Sequence, residues 1–226
     1  MDSLYMRVRG AWPFFFANSV ATDGRRVFAG AKEGVFVTKL RQEKPELFKT
    51  TARVMRVKYH GGLVYAVLTG TEGIQVFDKA GNSVNSYVSS AHCMDIDFSG
   101  NYGFIAAGGE GLTVVTKDEL EDVAYVALPG FAQAVDAEGK YAVVAMGEKG
   151  IVVLDVSNPT SPKQVAVYDG VPAMDAVIVG KYILVAAGRE GLVALDLSRE
   201  EPVVGRLELP GSALRVKVQG LSLIHI

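Results

Sequence analysis

A short tract ending in glycine returns along the 226-residue chain: AKEG at Gly34, GTEG at Gly73, GGEG at Gly111, GEKG at Gly150 and GREG at Gly191. The steps between them are 39, 38, 39 and 41 residues. A period this even means one supersecondary unit stacked on copies of itself, each burying its apolar faces against its neighbours. Every unit repeats the same inner order. A short strand ends at a glycine (ANSVATDG, AQAVDAEG, AMDAVIVG), and an apolar strand follows (YGFIAAG, YAVVAMG, YILVAAG). The glycine tract then leads to a third strand (IQVFD, LTVVT, IVVLDV, LVALDL), and a polar or proline-bearing link to a fourth (DVAYVALPG, KQVAVYDG, VGRLELPG). Val, Ile, Leu, Tyr and Ala dominate these tracts, and none has helical spacing. The glycine tract itself reads as a tight two-residue hairpin, since glycine takes the positive φ such turns need.

Four short strands per forty residues make one blade of a β-propeller. The expected fold is therefore all-β: four-stranded antiparallel blades, five of them complete, plus the start of a sixth, in an incomplete ring. A β-sandwich would also use short apolar strands but does not require so even a period. Residues 1–226 read as a single propeller domain, with residues 213–220 (ALRVKVQG) opening the sixth unit. Residues 221–226 (LSLIHI) are what the end of a common sequencing adapter encodes, and read as adapter sequence on a truncated gene. On that reading His225 has no role. MRVRG, Met6 to Gly10, stands where an outer strand would complete a closing blade and cover its edge.

Twenty-three basic residues against 25 acidic leave a net charge of −2, which lacks the basic field that nucleic-acid binding needs. No apolar run reaches the ~18–20 residues of a spanning helix. The stretch from Met6 to Ala21 only loosely mimics a secretion signal, broken as it is by Pro13 and Asn18. The single cysteine, Cys93, excludes an internal disulfide and reads as core.

The fourth unit is the most specific. GIVVLDVSNPTSPKQVAVYDG, Gly150 to Gly170, resembles the LVIVD-repeat family of β-propellers, whose core is an apolar run closing in Val-Asp and then VSNPxxP. Val152, Val153, Leu154, Asp155, Val156, Ser157, Asn158, Pro159 and Pro162 carry the likeness. The fifth unit keeps LVALDLS and Pro202 without Asn-Pro, the first keeps only Pro45, and the second and third lack the proline. The resemblance implies a propeller of interaction type, common in exported or cell-surface proteins, and implies no catalytic residues.

Motifs for chemistry are sparse. His60 and His92 have no further ligands at zinc spacing. His92 and Cys93 are adjacent on a strand, so their side chains diverge and cannot act as a couple. EGKY and VGKY lack the upstream glycine and the Ser/Thr of a phosphate loop. Two constellations remain. Counting back five and three positions from each inner-strand glycine gives Arg56 and Lys58, Asp95 and Asp97, Asp136, Asp175, and Arg215 and Lys217. Inner strands line the central channel, so these charges belong near it. They read as ion pairs between blades, Arg56 or Lys58 with Asp95 or Asp97, or as an acidic wall from Asp95 to Asp175 that would suit calcium or magnesium. No other cofactor is indicated.

The second constellation is a ring of turn carboxylates, Glu33, Glu72, Glu110, Glu148 and Glu190. It surrounds link residues Trp12, Phe14, Phe131 and Met174 on one face. Apolar groups inside a charged rim suit a protein partner. The leading reading is a non-catalytic interaction module that binds a protein or polysaccharide on this face. The alternatives are a metal-assisted hydrolase or lyase working at the channel with Asp95, Asp97, Asp136 or Asp175, and a structural blade array in a larger surface protein.

Overall fold

The computed structural model describes residues 17–39, 45–219 and 222–225, and among these all regular structure is β. Trp12, Phe14 and the Met6–Gly10 segment lie outside the described residues. Five sheets have four strands each, every one a simple antiparallel meander in chain order, and a two-stranded sheet of Val216–Gln219 and Ser222–His225 follows. The second of those strands falls within the tract read above as adapter sequence.

Blade 4 shows why the sequence folds this way. Its strands are Ala134–Glu138, Tyr141–Ala145, Ile151–Asp155 and Lys163–Tyr168. The second and third are buried on both faces along nearly their whole length, because blades stack face to face. The outermost strand is mostly exposed and alternates accordingly. The apolar clusters lie between blades: Phe104, Val114 and Val144 join blades 3 and 4, while Ala145, Val153 and Val185 join blades 4 and 5. Blades 1 and 2 meet over Phe28 and Val64, and blades 2 and 3 over Ile74 and Ile105.

The turn between second and third strands is longer than the two-residue hairpin expected. In blade 3 the Ala107 amide donates to Gly111 O (2.8 Å) and the Gly111 amide returns to Gly108 O (3.2 Å). The final glycine has a positional reason. At Gly150, φ is +72°, and a Cβ would stand 2.0 Å from Tyr168 O. The first glycine pairs elsewhere: Gly108 with Ala132, Gly147 with Ala173 and Gly188 with Ala213, each bridge tying a turn to the link that enters the next blade. Turns and links therefore share one face.

Blades 2 to 5 also share a register shift between third and fourth strands, at Val76/Phe77, Val114/Val115, Val153/Leu154 and Ala194/Leu195. A bulge bends and twists the outer strand away from the sheet, which suits radial packing. In blades 2, 4 and 5 the next residue is a carboxylate that caps the following turn. Asp78 Oδ1 accepts from the Ala80 amide (2.8 Å), Asp155 Oδ1 from Ser157 N (2.9 Å), and Asp196 Oδ1 from Ser198 N (3.2 Å). The Asp of the Val-Asp signature is thus a turn cap.

Candidate functional site

The inner strands are Ser19–Thr22, Val54–His60, Asp95–Ser99, Ala134–Glu138, Asp175–Val179 and Val216–Gln219. They converge on a central cavity of about 390 Å³ lined by all eight charged residues singled out above. Because side chains alternate along a strand, two positions per strand reach the cavity and form two layers. One layer holds Arg56, Asp95, Asp175 and Arg215, and the other Lys58, Asp97, Asp136 and Lys217. Each layer contains two cations and two carboxylates.

The carboxylates follow one rule. Each accepts a hydrogen bond from the backbone amide just past the equivalent position of the next blade: Val135 N to Asp95 Oδ2 (3.4 Å), Ala137 N to Asp97 Oδ2 (3.0 Å), Ile178 N to Asp136 Oδ2 (2.9 Å) and Val216 N to Asp175 Oδ2 (3.2 Å). Ser19 obeys it too, its Oγ accepting from Val57 N at 3.1 Å. The first strand of a blade has no sheet partner on its channel side, so its amides need such acceptors. Where the preceding blade offers none, the Asp serves its own strand. Arg56 precedes Asp95 and Ala134 precedes Asp175, and there Ile96 N and Ala176 N donate to Asp95 Oδ1 (2.9 Å) and Asp175 Oδ1 (3.1 Å).

Blade 2 supplies donors in place of acceptors. Arg56 Nη1 lies 3.4 Å from Asp95 Oδ2 and its Nη2 donates to Gln133 O of blade 4 (3.1 Å). Lys58 Nζ donates to Asp97 Oδ1 at 2.9 Å. These groups are largely out of water, with Asp95 2% and Arg56 8% exposed. Burial raises the Asp136 carboxyl first, and the like charge of Asp97 adds to it, bringing Asp136 to about 7. Asp97, despite its own burial, is held below its ordinary value by the Lys58 ammonium and the Ala137 amide. The two carboxyls share a hydrogen bond, so Asp97 ionises first and Asp136 holds its proton up to about 7. Burial likewise brings Asp175 to about 6 against the pull of Arg56. Among the described residues no three His, Cys, Asp or Glu side chains are grouped to hold a metal ion.

On the link face all five turn glutamates, Glu33, Glu72, Glu110, Glu148 and Glu190, are exposed. Glu190 meets Arg206 at 2.7 Å. Phe131 is 50% exposed and lies over Gly108, while Met174 is half-buried, its sulfur accepting from Gln133 Nε2 at 3.8 Å. Leu214, 56% exposed, occupies the Met174 position of the next link and was missed by sequence reasoning. The alternation of Ala173–Met174 and Ala213–Leu214 was the signal for it. His92 is exposed and Cys93 buried, and burial brings the thiol to about 11. His60 ends the inner strand of blade 2 and stacks on Phe98 at 4.6 Å between ring centres. Among the described residues no helix is long and apolar enough to cross a membrane.

Radial four-stranded meanders around a charged channel define a β-propeller. Among solved structures the chain is similar to a computationally designed protein, Ika8, with a TM-score of 0.74 and 10% identity over 93% of this chain and 68% of that one. It is also similar to the β-propeller domain of Cps50 (Swd1) from Myceliophteria thermophila, with a TM-score of 0.69 and 14% identity over 86% of this chain and 73% of that one. Residues 91–116, 129–170 and 172–200, in blades 3, 4 and 5, match the family model of the LVIVD repeat. The fold is that of a β-propeller, and its blades 3 to 5 carry LVIVD repeats. No curated protein matches it in sequence.

Proposed function

We propose that the chain is a non-catalytic interaction module that binds a protein or polysaccharide partner on its link face. The carrying observation is the pair of half-exposed apolar groups there, Phe131 and Leu214, set among exposed glutamate tips. Exposed apolar surface costs free energy in water, and a charged rim gives such a surface orientation and specificity. The channel supports the same reading. Each of its four carboxylates already accepts from a backbone amide of the next blade, and Asp95 and Asp97 also meet cations of blade 2, so these groups fasten the ring. An exported or cell-surface setting rests on the family resemblance.

The test is affinity capture from extract and culture supernatant with three baits: wild type, the double variant Phe131→Asp/Leu214→Asp, and Tyr141→Ser on the opposite face. A partner retained by wild type and Tyr141→Ser but lost by the double variant is the expected result. Equal retention by all three folded baits would sink the reading.

A further inference from the structure

Scaffold positions in a repeat protein carry the same kind of residue in every unit, because each unit solves the same packing problem. Blade 1 departs from that rule at the turn-capping position. Five residues past the turn glycine, blades 2, 4 and 5 carry the turn-capping Asp78, Asp155 and Asp196, and blade 3 carries Thr116, whose Oγ1 accepts from Glu121 N (3.0 Å). Blade 1 has Lys39 instead. Its cross-strand partner is Arg26, whereas Asp155 faces Tyr141 and Thr116 faces Tyr102. Like charges directly opposite on a sheet are destabilising, so the fold gains nothing from this pair.

The substitution also strips a counter-charge. In blade 5 the lysine one residue past the inner-turn glycine, Lys181, meets Asp196 at 3.0 Å. The equivalent residue in blade 1 is Arg25, and Lys39 stands where its carboxylate would be. Both line a cleft of about 460 Å³ between blades 1 and 2, on the face opposite the links, together with Arg26, Lys79, Tyr59 and Asp23. Asp23 is fully used by its own turn. Its Oδ1 accepts from Arg25 N (2.9 Å) and Arg26 N (2.6 Å), and its Oδ2 from Arg26 Nε (2.9 Å). Arg26 is held further by Lys79 O, to which its Nη1 donates at 2.7 Å. Arg25, Lys39 and Lys79 then have no ion-pair partner among the described residues. In a chain of net charge −2 this is a local surplus of positive charge around an immobilised guanidinium.

We propose that this cleft binds a tetrahedral oxyanion, phosphate or sulfate, through Arg25, Lys39 and Lys79, with Arg26 fixing its floor. The volume exceeds that of the ion and leaves room for the molecule that bears it. The site lies on the face away from Phe131, so it stands or falls apart from the partner reading.

The test is an NMR titration of the whole chain with sodium phosphate and, separately, sodium sulfate, each against sodium chloride at matched ionic strength. Wild type should show saturable shifts at Arg25, Lys39 and Lys79, and the tighter ion names the head group. Lys39→Asp restores the residue of blades 2, 4 and 5, so it should fold, and it should bind at least tenfold more weakly. Arg215→Ser, in the channel, should bind as wild type. Shifts no larger than those from sodium chloride would overturn the proposal. So would unchanged affinity in Lys39→Asp, or loss of binding in Arg215→Ser alone, which would move the anion to the channel.

Discussion

Replacing Asp136 by asparagine tests whether the channel carboxylates are fastenings between blades. Asparagine keeps both contacts: Oδ1 accepts from Ile178 N and Nδ2 donates to Asp97. What it removes is the charge that Asp136 takes on as pH rises. In the native fold Asp136 keeps its proton up to about 7, whereas an unfolded chain releases it near 3.8. The folded state therefore holds the extra proton between those values. Stability falls as pH climbs through that window and is flat above it. A rise of this size corresponds to about 4 kcal/mol at alkaline pH. Asp97, held low by the same contacts, returns part of it. Asp136→Asn should therefore gain on wild type by about 1–3 kcal/mol between pH 5 and pH 8, or about 3–9 °C in Tm for a domain of this length. Paired thermal melts of both proteins across that range read the difference directly, and other titrating groups such as His60 cancel. A constant difference from pH 5 to pH 8, or a variant less stable than wild type at pH 8, would refute the shared-proton account.

Other consequences are simpler. Gly150→Ala should cost more than about 2 kcal/mol in a denaturant melt, since its positive φ and the approach of Tyr168 O both oppose a Cβ. Leu154→Ala removes a fully buried side chain between blades 3 and 4 and should cost about 2–5 kcal/mol; a loss under 1 kcal/mol would contradict the close packing there. Cys93, buried with its thiol raised to about 11, should resist thiol reagents at pH 8 until the chain is denatured.

The blade order was legible because period and strand pattern are local. A glycine that must take positive φ at Gly150, and a run such as IVVLD buried on both faces, state their structure within a few residues. The two-position placement of Arg56, Lys58, Asp95 and Asp97 was legible for the same reason, since strand alternation puts them on one face. What those charges do was decided by blade docking. Asp97 accepts from an amide 40 residues away, and no local signal says that Ala137 N needs an acceptor. The turn length was misjudged because the closing bonds run back from Gly111 to Ala107 and Gly108, which adds residues a two-residue hairpin does not have. The cleft between blades 1 and 2 escaped sequence reading although its residues were in plain view. Lys39 is unremarkable until it is superposed on Asp155, and Arg25 until Lys181 is seen to meet Asp196. A sequence repeat reports which positions are equivalent. Only the packed blades show which equivalent positions hold the ring together, and so which departure from them is free to serve something else.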